Sequence, residues 1–285
     1  MTIYDFKPSR LLDQLHDEAS SNPRGLSYCA GFEFGKWRCG SFANHLIEWL
    51  PDYALLEEEL RVHHGNAYVK LQQAAVRVYT SAQYARRGEA GEIALHAVCR
   101  DFFDTIPISP RVFYKSSSND PIKSFDMVHA RFPSSDTFEI WLGESKLYAD
   151  GDQAISAAIT SVASHIDQGF LTNEKLLLGP QISKNTPHYE QILRVFRTQT
   201  SLDEFLKASV FVIGILCDSE GLKKATSKCD SYVVDAVSEL NRLVAKVAAS
   251  PLATQLRIVV VYIPLDNKDA LASAFDDRLK GLQWR

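Results

Sequence analysis

Two stretches of alternating hydrophobic and polar residues, joined by a short polar segment, stand out in the middle of the chain. Residues 124–132 read S-F-D-M-V-H-A-R-F, residues 133–136 read P-S-S-D, and residues 137–148 read T-F-E-I-W-L-G-E-S-K-L-Y. Successive side chains of a strand point to opposite faces, and Pro, Ser and Asp are typical turn residues. The pattern therefore predicts two strands joined by a turn.

The apolar face of the second predicted strand ends in charged residues. Glu144 and Lys146 follow the apolar side chains of that face, and Asp126 begins the apolar face of the first strand. Because the start of one antiparallel strand lies beside the end of the next, Asp126 is expected next to Glu144 and Lys146. Charged groups at the margin of a buried surface are costly unless something pairs them.

Further patterns predict a mixed sheet with helices on both faces. Helical spacing over residues 89–103 places Glu92 beside the apolar stripe. Continuous apolar runs, typical of strands covered on both faces, occupy residues 208–217 and 255–263. The other predicted core elements are a first strand over 111–116 and helices over 153–168 and 232–248.

The beginning of the chain is predicted to be an elaboration of this core. Residues 1–25 are polar and are expected to be irregular, whereas residues 26–38 predict a strand or hairpin. Helical patterns over 42–50 and 54–62 are interrupted at Pro51. We therefore predict an N-terminal elaboration over residues 1–65 and the core over residues 66–285.

Composition indicates an ordinary soluble globular protein. The 285 residues are 46% hydrophobic and 23% charged. The apolar runs are too short to span a bilayer, and the N-terminus lacks the order of a secretion signal, so no membrane association is expected. Five scattered cysteines, without paired spacing, favour reduced thiols and a cytoplasmic location.

The net charge of −4 does not suggest a protein that captures nucleic acid tightly by itself. Charge is uneven, however, because residues 61–131 contain ten basic and six acidic residues. A basic surface near Asp126 would favour binding of a phosphate backbone. A solvated surface of mixed positive and negative charge accounts for the same numbers of basic and acidic residues.

The grouping of Asp126, Glu144 and Lys146 is suited to phosphodiester hydrolysis. Mg²⁺ prefers oxygen ligands and keeps several waters, so two carboxylates and the Ser145 main-chain carbonyl suffice to hold Mg²⁺ or Mn²⁺. Lys146 can orient or deprotonate a water and stabilise developing negative charge, and Glu92 can reach the metal through water. A surface ion pair between Glu144 and Lys146 remains the simpler alternative.

Other candidate residues have weaker support. Gln153 at the start of a helix, and Lys115 and Lys123 on either side of a polar loop, are candidate substrate contacts, but solvated side chains explain them equally well. Glu89 competes with Glu92 for the helix position. His129 is out of phase with Asp126 and is expected to be structural.

Several longer stretches resemble one family. The arrangement D-x17-E-x-K after a helix carrying a Glu resembles the PD-(D/E)xK nuclease superfamily, although Phe125 replaces its frequent proline. The more particular stretches are C-A-G-F-E-F-G-K-W-R (29–38), I-E-W-L-P-D-Y-A-L (47–55), G-E-I-A-L-H (91–96), R-D-F (100–102), Y-K-S-S-S-N-D-P-I-K-S-F-D-M-V-H (114–129) and W-L-G-E-S-K-L-Y (141–148). Their sequences are similar to HamA, the effector nuclease family of the Hachiman anti-phage defence system.

The resemblance implies a restriction-endonuclease-like core and a metal-dependent DNase. It also implies a superfamily 2 helicase partner of the HamB type, which restrains the nuclease until invading or damaged DNA is sensed. Two other hypotheses stay open on the residues alone. One is a non-catalytic adaptor that binds the helicase and DNA, and the other is a nuclease that cleaves RNA.

Overall fold

A seven-stranded mixed sheet forms the centre of the structure, which is a computed structural model describing residues 3–79, 88–109, 125–134 and 137–283. The strand order is β1-β2-β9-β8-β7-β6-β5, and a separate hairpin pairs β3 with β4. The strands are β1 (Asp13–Asp17), β2 (Arg24–Cys29), β3 (Phe32–Glu33), β4 (Lys36–Trp37), β5 (Ile106–Ser109), β6 (Met127–Ser134), β7 (Thr137–Tyr148), β8 (Ser209–Asp218) and β9 (Ile258–Leu265).

Four parallel strands, β2, β9, β8 and β7, form the middle of the sheet. Antiparallel strands close both sides, with β1 beside β2 and with β6 and β5 beyond β7. The predicted apolar runs become β8 and β9, and every described residue of β9 is buried. This confirms the expectation of a mixed α/β sheet flanked by helices.

Helices cover both faces, as the continuous burial of the central strands β8 and β9 requires. One apolar cluster packs the first four helices and the last one against one face, and a second cluster packs most of the remaining helices against the other. The helices are α1 (Cys39–Glu48), α2 (Leu50–Ala54), α3 (Ala67–Val78), α4 (Glu89–Phe103), α5 (Gly151–His165), α6 (Gln168–Leu178), α7 (Tyr189–Phe196), α8 (Leu202–Ala208), α9 (Glu220–Lys224), α10 (Asp230–Ala248), α11 (Leu252–Gln255) and α12 (Lys268–Gly281).

The N-terminal segment differs from its predicted form in two places. Residues 13–17 form the edge strand β1 rather than an irregular stretch, so the segment adds two strands to the central sheet. The helix predicted over 54–62 is wrong. Pro51 lies in the first turn of α2, where a missing N–H costs nothing, and only a 3₁₀ turn at Glu57–Glu59 follows. The division between residues 65 and 66 stays a prediction.

The helix α4 lies very close to the sheet because two strands present glycines beneath it. A Cβ added to Gly143 would lie 2.9 Å from Met127 Cβ and 3.1 Å from Leu95 Cδ2. A Cβ added to Gly214 on the neighbouring strand would lie 3.1 Å from Leu95 Cδ1. The two glycines thus leave the space that the Leu95 side chain fills.

Replacing Gly143 by Val is expected to destabilise the protein by about 1–3 kcal/mol, since overpacking forces the side chains of Leu95 and Met127 aside. Urea unfolding followed by circular dichroism measures the change. Gly281→Ala is the control, because an added Cβ meets no described atom within 4 Å there. Equal free energies of unfolding in the two variants would show that α4 can move away from the sheet without loss of stability.

Candidate active site

The register of β6 and β7 brings Asp126 beside Glu144. Met127 pairs with Gly143, so the next positions outward are Asp126 and Glu144. The Asp126 N–H donates to the Gly143 carbonyl at 2.9 Å, and the Ser145 N–H donates to Asp126 Oδ2 at 2.8 Å. The Asp126 carboxylate therefore replaces a backbone acceptor at the end of the β6–β7 ladder.

Glu144 and Lys146 lie on the same face of β7, as the alternation predicted. The Lys146 ammonium donates to Glu144 Oε1, and Glu144 is only 3% exposed. The pair is therefore not the solvated surface ion pair that the spacing alone allowed. We call Asp126, Glu144, Ser145 and Lys146 the Asp126 cluster.

The charge state of Lys146 follows from its surroundings. Burial lowers the pKa of Lys146, but the charge of Glu144, the hydrogen bond to that carboxylate and the charge of Asp126 outweigh burial and raise the pKa above its ordinary value. Lys146 is consequently an ammonium ion at neutral pH. It can stabilise negative charge and orient a water, but it cannot accept a proton in this state.

One carboxylate oxygen in the Asp126 cluster is buried without a hydrogen-bond partner among the described residues. Glu144 Oε2 is buried and forms no hydrogen bond with any described residue. Leaving such an oxygen without a partner is expensive, because burial removes its water without replacing it. A bound cation would remove that cost, so the arrangement fits a metal held by Asp126 and Glu144.

The Ser145 carbonyl also fits this hypothesis. The N–H and C=O of a strand residue point to the same edge, so the carbonyl faces the side on which the N–H meets Asp126. Among the described residues, no group of three or more His, Cys, Asp or Glu side chains is arranged to hold a metal. A hexacoordinate Mg²⁺ or Mn²⁺ needs only one or two carboxylates, with waters completing its shell.

Glu92 approaches from the opposite face of the sheet. Its carboxylate accepts a hydrogen bond from the Tyr53 hydroxyl at 2.6 Å. The preceding residue, Gly91, faces Ser145, and a Cβ added there would lie 2.8 Å from Ser145 Oγ. The start of α4 thus lies against the β7 strand at the Asp126 cluster, while Glu144 and Lys146 project to the other side.

His165 is the residue at this site that the sequence analysis missed. Its Nδ1 lies 3.6 Å from Glu144 Oε2. It ends α5, which follows β7 and folds back along the sheet, so the helix returns to the level of Glu144. The sequence did contain one indication that His165 is buried. It lies three residues after Val162 and seven after Ala158, so all three residues share the buried face of α5.

The remaining candidates lie elsewhere. Gln153 is exposed, and its backbone N–H donates to the Asp150 side chain that caps α5. Gln153 therefore occupies the position of a solvated residue in the first turn of α5, which is the simpler of the two interpretations of this residue. Lys115 and Lys123 lie outside the described residues, as do the strand predicted over 111–116 and two residues of the predicted turn.

A second set of charged and polar side chains is buried beneath the N-terminal segment. Arg100 binds both carboxylate oxygens of Asp52, and His96 Nε2 lies 2.8 Å from Asp52 Oδ1. His96 Nδ1 lies 3.0 Å from His129 Nε2, and His129 Nδ1 lies 2.8 Å from Thr105 Oγ1. His129 is therefore structural, as predicted, and His96 bonds Asp52 and His129.

The protonation of this buried network can be assigned from its partners. Burial lowers the pKa of His129 well below its ordinary value, and the proximity of the His96 imidazole and of the Arg100 charge lowers it further. Burial also lowers the pKa of His96, despite the opposing effect of Asp52. Both imidazoles are thus neutral, with protons directed from Thr105 to His129, from His129 to His96 and from His96 to Asp52.

The neutral state of His129 predicts how stability changes with pH. In the unfolded chain its pKa returns to about 6.5, so below that pH the unfolded state binds a proton that the folded state excludes. The free energy of unfolding should therefore fall as the pH drops from 7 to 5. In His129→Gln the fall should be shallower by up to about 1.4 kcal/mol per pH unit. Urea titrations at several pH values measure both slopes, and parallel slopes would contradict the assignment.

Comparison with known proteins gives one match. The chain matches the family model HamA over residues 5–279. No curated protein and no solved structure matched it. Within the described ranges, no helix has the length and apolar character needed to cross a membrane. Because the match covers nearly the whole sequence, the chain belongs to the HamA family, which acts with a helicase partner in Hachiman anti-phage defence.

Proposed function

We propose that this protein is a Mg²⁺- or Mn²⁺-dependent DNA nuclease, the cytoplasmic effector of its Hachiman system, and that it cuts DNA with little sequence preference. The observation that carries the proposal is the buried, unbonded Oε2 of Glu144 beside Asp126. Two adjacent carboxylates with a free oxygen and a neighbouring ammonium are what a metal-assisted phosphodiesterase requires.

In this mechanism each residue of the Asp126 cluster has a distinct task. Asp126 and Glu144 hold the cation, and the Ser145 carbonyl adds a neutral oxygen ligand. The bound cation supplies positive charge to the phosphoryl oxygens and lowers the pKa of water. Lys146, kept protonated by its two carboxylate neighbours, orients the attacking water and stabilises negative charge as the bond to the leaving oxygen breaks.

Glu92 has a supporting role in the proposal. The Tyr53 hydroxyl fixes its carboxylate at the start of α4, next to the strand that carries Ser145. Because it lies on the other face of the sheet from Glu144, its proposed contact with the metal is through a bridging water.

Control by the helicase partner is supported by charge. A chain with a net charge of −4 gains little electrostatic affinity for DNA by itself. A superfamily 2 helicase of the HamB type would deliver DNA to the site and restrain cleavage until it engages invading or damaged DNA. Regulation would then depend on access of DNA rather than on assembly of the site.

The proposal is tested by incubating purified protein with supercoiled plasmid and Mg²⁺, with and without its HamB-type helicase partner. Conversion of plasmid to nicked or linear products, abolished by EDTA, is expected once the partner's restraint is relieved. Parallel reactions with RNA of the same sequence distinguish a DNase from an RNase. Intact plasmid under every condition would contradict the proposal.

A non-catalytic adaptor is the second candidate, because no three-ligand metal group is present among the described side chains. Calorimetry with Mn²⁺ separates the two functions. A nuclease requires binding that weakens in Asp126→Asn and Glu144→Gln, whereas an adaptor with a vestigial site shows no binding that depends on these residues.

A further inference from the structure

We propose that the β3–β4 hairpin binds single-stranded DNA, with the Phe34 ring stacked on an unpaired base and nearby basic side chains on the phosphates. We call Phe34, Lys36, Arg38 and Lys224 the hairpin surface. The inference rests on the proposed function for the choice of DNA as ligand. It adds a substrate-binding surface that takes no part in the chemistry of the Asp126 cluster.

Phe34 is almost completely exposed at the tip of the hairpin. Glu33 pairs with Lys36, so Phe34 and Gly35 alone form the loop, and their φ angles are +49° and +73°. Two positive φ angles define a type I′ turn, whose first position favours Asn or Gly and disfavours a bulky side chain. The Phe34 side chain is 97% exposed, so burial does not offset this strain. A strained and exposed aromatic ring points to a ligand that covers it.

Aromatic packing holds the base of the hairpin in place. Phe32 meets Tyr232 edge-on at a centroid distance of 5.4 Å, and Trp37 meets Phe42 edge-on at 6.1 Å. The Phe34 ring is therefore presented by a supported element, which lowers the entropy lost when it binds a partner.

Basic side chains surround the exposed ring. A Cβ added to Gly35 would lie 3.8 Å from Thr226 Cβ, which places the loop after α9 beside the hairpin. Lys224 ends α9, just before this loop, and Lys36 is exposed on the hairpin itself. Lys36, Arg38 and Lys224 form no ion pair with any described residue. An aromatic ring among basic groups is typical of surfaces that bind single-stranded nucleic acid.

The acidic residues of this region do not cancel its positive charge. Residues 31–38 and 220–230 contain five basic and three acidic side chains, a net charge of +2 in a chain of net charge −4. One of the three acids, Glu220, is paired with Lys223 at 2.9 Å. A few phosphate contacts are therefore favourable here, but they give only modest affinity, which agrees with delivery of DNA by a partner.

The hairpin surface lies along the same edge of the sheet as the Asp126 cluster. The strand register places Lys146 and Ser27 at the same level, three strands apart. Three spacings of about 4.8 Å separate the two residues by about 14 Å. The hairpin follows the carboxyl end of β2, and ligands of open α/β sheets bind at the carboxyl ends of parallel strands. At about 3.4 Å per nucleotide, a DNA strand leaving Lys146 along this edge reaches the hairpin after roughly four nucleotides.

An unpaired base is a better partner for the ring than a base pair. Every base has a π-face, so stacking tolerates any sequence, in agreement with the proposed lack of sequence preference. Insertion into a duplex must first unstack a base step, at a cost comparable with the gain from stacking. The hairpin surface should therefore bind single-stranded DNA in preference to duplex DNA.

Anisotropy of a fluorescein-labelled single-stranded oligonucleotide, at low salt and in EDTA, measures this binding without cleavage. Phe34→Asn should weaken binding about tenfold. Asparagine favours a type I′ turn, so the variant should be at least as stable as the unmodified protein, which urea unfolding checks. Phe6→Asn, at a second phenylalanine that is 70% exposed, is the matched control and should bind with unchanged affinity.

Substitution of the lysines should have a different signature. Lys36→Gln combined with Lys224→Gln removes two phosphate contacts, so the slope of log affinity against log salt concentration should become shallower by about 1.4. Phe34→Asn should keep the original slope, because stacking releases no counterions.

The outcomes separate this inference from the proposed function. Equal affinity of Phe34→Asn, or no saturable binding by the unmodified protein, would overturn the hairpin surface even if plasmid is cleaved. Weaker binding of Phe34→Asn to the helicase partner alone would make the hairpin a protein interface and overturn the inference. Tighter Phe34-dependent binding of RNA of the same sequence would overturn the assignment to DNA. Weaker DNA binding by Phe34→Asn, without plasmid cleavage under any condition, would support the hairpin surface and contradict only the nuclease.

Discussion

Replacing Glu144 by Gln is expected to lower the rate constant of metal-dependent DNA cleavage by about 10²–10³-fold while the fold stays intact. The amide keeps the shape and the acceptor for Lys146 but carries no charge to hold a cation. Single-turnover cleavage of a labelled duplex at saturating protein measures the rate constant. Glu48→Gln, at an exposed carboxylate, is the control and should cleave at the original rate.

Lys146→Ala should cause a loss of similar size for a different reason. Asp126 and Glu144 still bind metal, but no ammonium compensates the negative charge that develops during the reaction. The assay is therefore run at a metal concentration shown to saturate the variant. Full activity in the metal-saturated Lys146→Ala protein would rule out the proposed role of the ammonium.

Asp52→Asn is expected to reduce the free energy of unfolding by about 3–5 kcal/mol. Burial opposes ionisation of Asp52, but the hydrogen bond from His96 and the charge of Arg100 keep its pKa below the ordinary value, so it is ionised at neutral pH. The amide would leave the fully buried Arg100 guanidinium without a balancing charge. Chemical denaturation, monitored by circular dichroism, measures the loss.

The matched control for this prediction is Asp104→Asn. Asp104 also pairs with a cation, Lys7 at 2.8 Å, but its side chain is 87% exposed. Exposed pairs contribute about 0–1 kcal/mol, and asparagine tolerates the left-handed conformation at this position. If Asp52→Asn and Asp104→Asn reduced the free energy of unfolding by the same amount, the burial of Arg100 would not explain the importance of Asp52.

The strand part of the Asp126 cluster could be predicted because it depends on local alternation. The period of two places Glu144 and Lys146 on one face whatever the rest of the fold. The register that brings Asp126 beside Glu144 also depends on a shift between Arg131 and Ser134, which the alternation does not specify. Helix α4 was predicted with its observed bounds because its apolar stripe and its flanking breaks are both strong.

Contacts between distant parts of the chain could not be predicted in the same way. The Tyr53 hydroxyl meets Glu92 from 39 positions away, and Asp52 meets Arg100 from 48 positions away. These contacts depend on how α2 packs on α4, which periodicity does not specify. His165 was missed for the same reason, since its neighbour Glu144 belongs to another element.

The most direct test of a catalytic Asp126 cluster is the dependence of plasmid cleavage on metal concentration in Asp126→Asn. The amide oxygen can still accept the Ser145 N–H, so the strand ends should stay in place, but a charged ligand is lost. Asp152→Asn, a half-exposed carboxylate on α5, is the control. We expect a saturable response to Mn²⁺ in the unmodified protein and the control, and at least a 10²-fold slower reaction in Asp126→Asn. Cleavage by Asp126→Asn at the original rate and metal dependence would contradict the proposed site.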